Sequence, residues 1–530
     1  MNKGEQYVQT LNELETQRDQ LVPIWRDCFD LTAPERGEGF WRARVDYQVD
    51  TSKRAELYDS AGADSVNLFA SALMSGLTPS NSKWFQFGLA SVDNERLSGI
   101  ARNWLQDASE VMFDAIHSSN YDAVALEFLK DVAIAGMAGL YVDMDEDGNL
   151  VFEEWALDNL FVLESKRNGG IDTVYRRLQL TPAQAYNLFG EDTPDSTIEQ
   201  YKTGKRLSDL DEYIHCIHPV KGKAVTAEAK LAKNMPFRSV YVHSKTGKVV
   251  REGGFNEMPV IIPRWAVIPN TPYATGPLYA ALPDLKSLNE LKRQFLTNAE
   301  LVISPPLVAD DDGVINPNNI KLGPRQIMFK SSQGDIRPLF TVGNLDWAMG
   351  MIQQLQESIR RQMLADQLAP AVKSYMTAQE IMQRQDTIRG LLGPLFGRLE
   401  SELLRPLLTR VFGLLYRANR FEEVPDELLG IDFKPNFTGP HARAQRMERA
   451  NVMMNYVATL SNLAQIDQSV LDTFDFTAAA ARYAHLTGVE ADLLRDRREI
   501  EAMQQQRSQA AQQAQMAQAM TESMGDAGGI

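Results

Sequence analysis

Asp143, Asp145, Asp147, Gly148 and Glu154 in "DMDEDGNLVFEE" stand at the spacing D-x-D-x-D-G-x5-E. That spacing lets one loop wrap a calcium ion in carboxylate oxygens, with the final Glu closing the shell. Such a loop needs a helix on each side. Here the flanks "AGLYV" and "LVFEEW" alternate apolar and polar residues as strands do, and Asp147-Gly148 is a favoured hairpin-turn dipeptide. The expectation is therefore a β-hairpin rather than a calcium site. In "IHCIHPV", Cys216 and His218 share one face of a predicted strand and His215 takes the other. Two ligands fall short of the four that a closed zinc site takes, so an ordinary strand with a partly buried Cys is expected. The six histidines, at 117, 215, 218, 243, 441 and 485, are scattered. The chain has no G-x-x-x-x-G-K-[ST] phosphate loop, no G-x-G-x-x-G turn, no G-x-S-x-G elbow and no H-E-x-x-H helix. No catalytic residue, metal site or cofactor is predicted, and the reading is that the protein is not an enzyme.

Better-defined physics lies in "LADQLAPAVKSYMTAQEIMQRQ", residues 364–385. Thr377 and Glu380 form a capping box: the hydroxyl accepts from the N–H three residues on, and the carboxylate reaches back to the Thr377 N–H. The cap fixes where a helix begins, so the segment before it stays outside that helix. Lys373 is the only positive charge from 362 to 383; Arg360 and Arg361 precede the segment, which also holds Asp366 and Tyr375.

These residues must be positioned by a mainly helical chain. Residues 1–135 carry apolar residues at helical spacing, as in "YVQTLNELETQRDQLVPIWRDCFDLT" and "LSGIARNWLQDASEVMFDAIHSS". From Leu140 the pattern turns to strands around Gly- and Asp-rich turns. "TGPLYAALPDLKSLNELKRQFLTNAEL" opens a helix in which Pro283 predicts a break or a second start. A Pro-, Gly- and Asn-punctuated β-rich insert follows. A helix then returns with Ala348, Ile352, Leu355, Ile359 and Met363 as one seam. Two such helices of about 24 residues would each span about 36 Å and hold the insert away from the body. A long helical stretch is predicted from Thr377 to about Asn419, with Gly390, Gly393, Pro394, Gly397 and Pro406 bending or breaking it. The Gln/Ala-rich "EAMQQQRSQAAQQAQMAQAM" suits an exposed or self-associating helix.

Over 530 residues, 54 Lys and Arg against 70 Asp and Glu give a net charge of −16. This argues against a protein that grips nucleic acid by neutralising phosphates, but not against one that lets DNA pass. Two cysteines exclude a disulfide framework. No signal peptide is expected in the polar N-terminus, and no stretch approaches the length and apolarity of a membrane span.

The order of these parts resembles the portal proteins of tailed phages, of the head-to-tail connector type found in short-tailed phages. The resemblance is carried by "LVPIWRDCFDLTAPERG", by "DSAGADSVNLFASALMSGLTPSNSKWFQF" with its Leu77-Thr78-Pro79 and Trp84-Phe85 pairs, by "TGPLYAALPDLKSLNELKRQ", and by "YMTAQEIMQRQ". It implies an α+β, mainly α subunit of a ring, usually of twelve copies, at one capsid vertex. Residues 1–275 would form a wing, β-rich from about 140; 276–301 and 344–365 two stem helices; and 302–343 the clip between them. Residues 366–376 would form a tunnel loop, 377–435 a long bent wing helix, and 436–530 a crown and C-terminal tail. The implied function is a channel for packaging and ejecting double-stranded DNA and a nucleator of capsid assembly. The implied partners are the terminase large subunit, tail adaptor and tube proteins, and the major capsid and scaffolding proteins. Assembly would take place in the host bacterial cytoplasm and the protein would reside in the virion, with no membrane involved. Lys373, Arg360, Arg361, Asp366 and Tyr375 become candidates to line the channel; Asp310, Asp311, Asp312 and Arg325 become candidates for clip contacts. The alternatives are a self-associating scaffold or adaptor of another kind, or a metal-dependent enzyme using Asp143–Glu154 or Cys216/His218.

Overall fold

The computed structural model describes residues 2–40, 52–89, 98–166, 170–204, 207–220, 234–303, 307–309, 336–338, 346–365, 397–428, 433–437, 440–465, 467, 469, 473–487, 489, 503 and 506. Helix α1 (Lys3–Arg18) opens on Asn2, capped reciprocally with Glu5. Helix α2 (Val22–Asp30) takes Pro23 in its first turn, where no N–H is needed. Helix α3 (Ala61–Leu77), strand β1 (Phe85–Leu89), helix α4 (Gly99–His117) and helix α5 (Tyr121–Ala135) follow. Ser98 Oγ caps α4 by accepting the Ala101 N–H.

The β region comprises β2 (Gly139–Met144), β3 (Leu150–Trp155), β4 (Leu160–Leu163) and β5 (Thr173–Leu180). Two short helices come next, α6 (Pro182–Phe189) and α7 (Asp195–Thr203), where the sequence reading placed only strands. Their signal is the Thr181/Gln184 capping box. Strands β6 (Asp211–Pro219), β7 (Phe237–His243) and β8 (Val249–Phe255) and the short β9 (Val260–Ile261), β10 (Ala266–Val267) and β11 (Ala274–Thr275) complete the region.

Helix α8 (Leu278–Ile303) is one helix. Pro283 sits inside it rather than breaking it, because within two turns of the start its missing N–H removes only one ladder bond. Strands β12 (Leu307–Ala309) and β13 (Ile336–Pro338) pair antiparallel, and α9 (Asp346–Gln362) returns. A π turn at Glu400–Leu404 leads into α10 (Arg405–Arg417), then β14 (Phe433–Phe437), α11 (Pro440–Ala464) and α12 (Phe476–Thr487). A helix over all of 377–435 is thus corrected: α10 ends at Arg417, and the chain reaches β14 through a short 3-10 turn. The boundary at 436 falls inside β14. Pro406 does not break the helix either. In a π turn the N–H looks back five residues instead of four, which eases the ring clash Pro makes in a regular α turn.

The chain divides into two compact units. The first (1–73, 124–141, 153–403) centres on an antiparallel sheet in the order β4-β5-β6-β7-β8. Along β6, alternate residues serve opposite faces. Ile214 and Cys216 join Leu11 and Leu14 of α1, with Phe161, Tyr175, Val240 and Val242, while Tyr213 packs with Ala185, Phe189 and Val250 on the α6 side. Each fully buried Leu or Phe of this kind contributes roughly 1.5–3 kcal/mol. The second unit (74–123, 142–152, 404–530) holds the antiparallel pair β1–β14, from Phe85↔Phe437 to Leu89↔Phe433, and the pair α11–α12.

Candidate functional site

The two motifs with metal spacing resolve into ordinary structure. Asp145 stabilises its own turn: its carboxylate accepts the Asn149 N–H at 2.7 Å, and its backbone pairs with Asn149 and Gly148. Gly148 takes φ +81°, which the hairpin requires. Glu154, the would-be twelfth-position ligand, is engaged elsewhere, accepting from Arg36 Nη2 at 2.5 Å. Arg36 also donates to Asp131 (2.7 Å) and Glu127 (2.9 Å). Burial and the adjacent Asp131 push Glu154 up to about 8, against the pull of Arg36. Cys216 is buried, His218 Nε2 meets Tyr7 Oη at 3.1 Å, and His215, facing the other way, stacks on Tyr241 at 3.9 Å. Among the described residues no group of three or more His, Cys, Asp or Glu is placed to hold a metal ion. Trp84, singled out in the sequence, donates to His117 Nε2 while Nδ1 faces Asp122 at 2.9 Å, so both ring nitrogens are occupied.

The paired helices are the better site. Buried Leu278, Ala281, Leu282, Leu285 and Leu288 give α8 one apolar stripe. On α9, Ile352, Ile359 and Met363 are buried and Leu355 half-buried, as the predicted seam requires. Carboxylates fix the register between the two. Asp284 of α8 accepts from Ser358 Oγ and Gln362 Nε2, both at 2.7 Å. Its place near the start of α8 against the end of α9 makes the pair antiparallel. Asp59, which sequence reasoning missed, is a junction of three elements: it accepts from Lys292 Nζ (2.7 Å), Gln356 Nε2 (2.8 Å) and the Ala61 N–H (2.8 Å). Burial would raise its pKa, but these hydrogen bonds and the Lys292 charge hold it below the usual carboxylate range. Beside it, Asn289 accepts the Tyr58 N–H and donates to the Glu56 carbonyl. Lys286 pairs with Asp27 at 2.5 Å. Nothing in the sequence marked these carboxylates, because their partners lie up to 297 residues away.

Another junction pins the π turn. Glu402 accepts from the Arg264 N–H (3.0 Å), Nε (3.1 Å) and Nη2 (2.9 Å), while Arg264 Nη1 reaches Glu164 at 2.6 Å. One turn earlier Arg398 donates to the Trp265 carbonyl at 3.0 Å.

Of the residues expected to carry function, Arg360 and Arg361 lie in the last turn of α9 and are exposed, on the side away from the seam. Asp366, Lys373, Tyr375, Thr377 and Glu380, and the clip candidates Asp310, Asp311, Asp312 and Arg325, lie outside the described residues.

The family model for bacteriophage head to tail connecting proteins matches residues 5–494. This chain belongs to that family. Within and around this connector family, a probable portal protein of Bordetella phage BPP-1 is 26% identical over 515 residues, covering 94% of this chain and 91% of its own length. The portal protein of Salmonella phage epsilon15 is 26% identical over 534 residues, covering 98% and 94%. Among solved structures, a chain from the virion of a native gene transfer agent particle aligns at 11% identity over 81% of this connector chain and 95% of its own. Its TM-score is 0.36, so no geometry is carried over from it.

Proposed function

We propose that this connector-family chain is the portal subunit at the head–tail junction of a phage virion, working as a ring, usually of twelve copies. The observation that carries the reading is the match of nearly the whole chain, residues 5–494, to the connector family, alongside full-length relatives named portal proteins. The antiparallel α8–α9 pair with a β pair between its distal ends suits a stem carrying a clip. The net charge of −16 suits a channel that lets double-stranded DNA slide without sticking. In this reading Lys373 and Tyr375, with Asp366, stand in the tunnel loop, and Arg360 and Arg361 give the channel a local ring of positive charge. Asp310, Asp311, Asp312 and Arg325 belong to the clip that meets the terminase large subunit and then the tail proteins. Capsid and scaffolding proteins would meet the outer parts during assembly in the host cytoplasm. No helix among the described residues is long and apolar enough to cross a membrane. The test is the mass of the purified protein in solution, with negative-stain images. A particle near twelve subunits with a central hole is expected, and a chain that stays monomeric at assembly concentrations would overturn the reading.

A further inference from the structure

The five-stranded sheet carries two unlike features at its opposite ends. At one end, between β5 and β6, the α6–α7 pair projects an exposed platform. Tyr186 stacks on Tyr201 at 4.7 Å with 21° between the rings, and Leu188 stands beside them 37% exposed. The rim is acidic: Glu191, Asp192, Asp195 and Glu199 are all exposed, and Lys202 is the only cation in residues 182–204. Lys205 and Arg206 follow in the sequence, beyond the left-handed Gly204 that ends α7. At the other end, Pro219 pairs with Phe237, and the Val220 N–H is pinned to the Pro236 carbonyl at 2.7 Å. From that root spring residues 221–233, "KGKAVTAEAKLAK", with four lysines against one glutamate and Ala, Val and Leu between them.

The two features match in charge and in apolar content, yet one chain cannot bring them together. The sheet registers place Leu180 opposite Asp211 at the α6–α7 end, and Pro219 lies at the far end of nine-residue β6. That separation is about 27 Å at 3.3–3.4 Å per residue. Thirteen residues rooted at both ends reach out and back at most about 20–24 Å. A platform and a plug at opposite ends of one sheet are the ingredients of a head-to-tail contact, the type that closes into a ring.

We propose that the lysine-rich segment 221–233 of one copy docks on the acidic Tyr186/Tyr201 platform of the next copy around the ring. The proposal rests on the ring reading and adds to it the surface that joins neighbours. Charge complementarity of this kind fixes register and raises the association rate, so assembly through it weakens with salt.

The experiment uses the full chain. Ser196→Cys and Ala227→Cys are made singly, mixed, assembled and treated with a short flexible bis-maleimide; the native cysteines 28 and 216 are buried. Crosslinked dimers from the mixture are expected, and neither variant alone should give them. Lys223→Glu with Lys230→Glu is expected to raise the concentration needed for half-assembly at least tenfold, and adding Glu191→Lys with Glu199→Lys to recover most of that loss. Wild-type mass reports the ring separately. Rings that form with no 196–227 crosslink, and that ignore the lysine reversals, overturn this interface and leave the ring reading standing. A crosslink within a monomeric double-cysteine chain overturns it too. A wild-type chain that never assembles overturns both.

Discussion

Glu154 shows how a residue's chemistry is set by neighbours distant in sequence. Spacing made it the last ligand of a calcium loop, whereas folding gives it Arg36 and Asp131. Its pKa is raised in the folded chain, so between its ordinary value of 4.5 and about 8 the native state holds a proton that the unfolded state has lost. The stability this contributes is full below about 4.5 and lost as pH rises through about 8. Thermal unfolding followed from pH 5 to 8.5 should therefore show a falling transition temperature, worth roughly 1–3 kcal/mol over the range. Glu154→Gln, which keeps the shape of the protonated acid, should flatten that fall and leave the pH 5 value nearly unchanged. An identical slope in both proteins would assign the pH dependence to other groups.

The element scale gave up most to inspection of the sequence. Helical spacing located the N-terminal helices and the α9 seam, alternation located the β region, and Asp147-Gly148 located a hairpin. What stayed hidden has a common physical cause. Pro283 and Pro406 were read as breaks, since local rules count a missing N–H; a site near a helix start and a π turn make that loss tolerable. Asp59, Asp284 and Glu402 look like any surface carboxylate until distant helices arrive. Channel residues suggested by family resemblance were legible only as far as Arg360 and Arg361, whose exposed place in α9 agrees with their position opposite the seam. The clamp on the π turn is open to measurement. Glu402→Ala leaves Arg264, 7% exposed, with Glu164 as its remaining carboxylate. The expected loss is roughly 2–4 kcal/mol, between a charged hydrogen bond and a full buried pair. In an Arg264→Met background the same change should cost well under half as much by urea unfolding. Equal costs in both backgrounds would mean the two side chains are not coupled.

At the scale of the whole molecule, a net charge of −16 sets a repulsive background against which a few cations act locally, over about 8–10 Å at ordinary ionic strength. Arg360→Ala with Arg361→Ala, and separately Lys373→Ala, should leave ring formation intact while slowing DNA packaging or ejection severalfold. Normal packaging and ejection by all three replacements would deny these charges a role. The grips on α8 matter for how such a ring would carry load. Lys286, Asn289 and Lys292 lie three residues apart along one side of the helix, and each is held by a different part of the N-terminal chain: Asp27, the backbone at 56–58, and Asp59. All three anchors come after Pro283, the one position where the helical ladder lacks a rung. Tension applied at the distal end of α8 is therefore handed to α2 and the start of α3 before it reaches the weak rung, so the helix is moored above its own flaw.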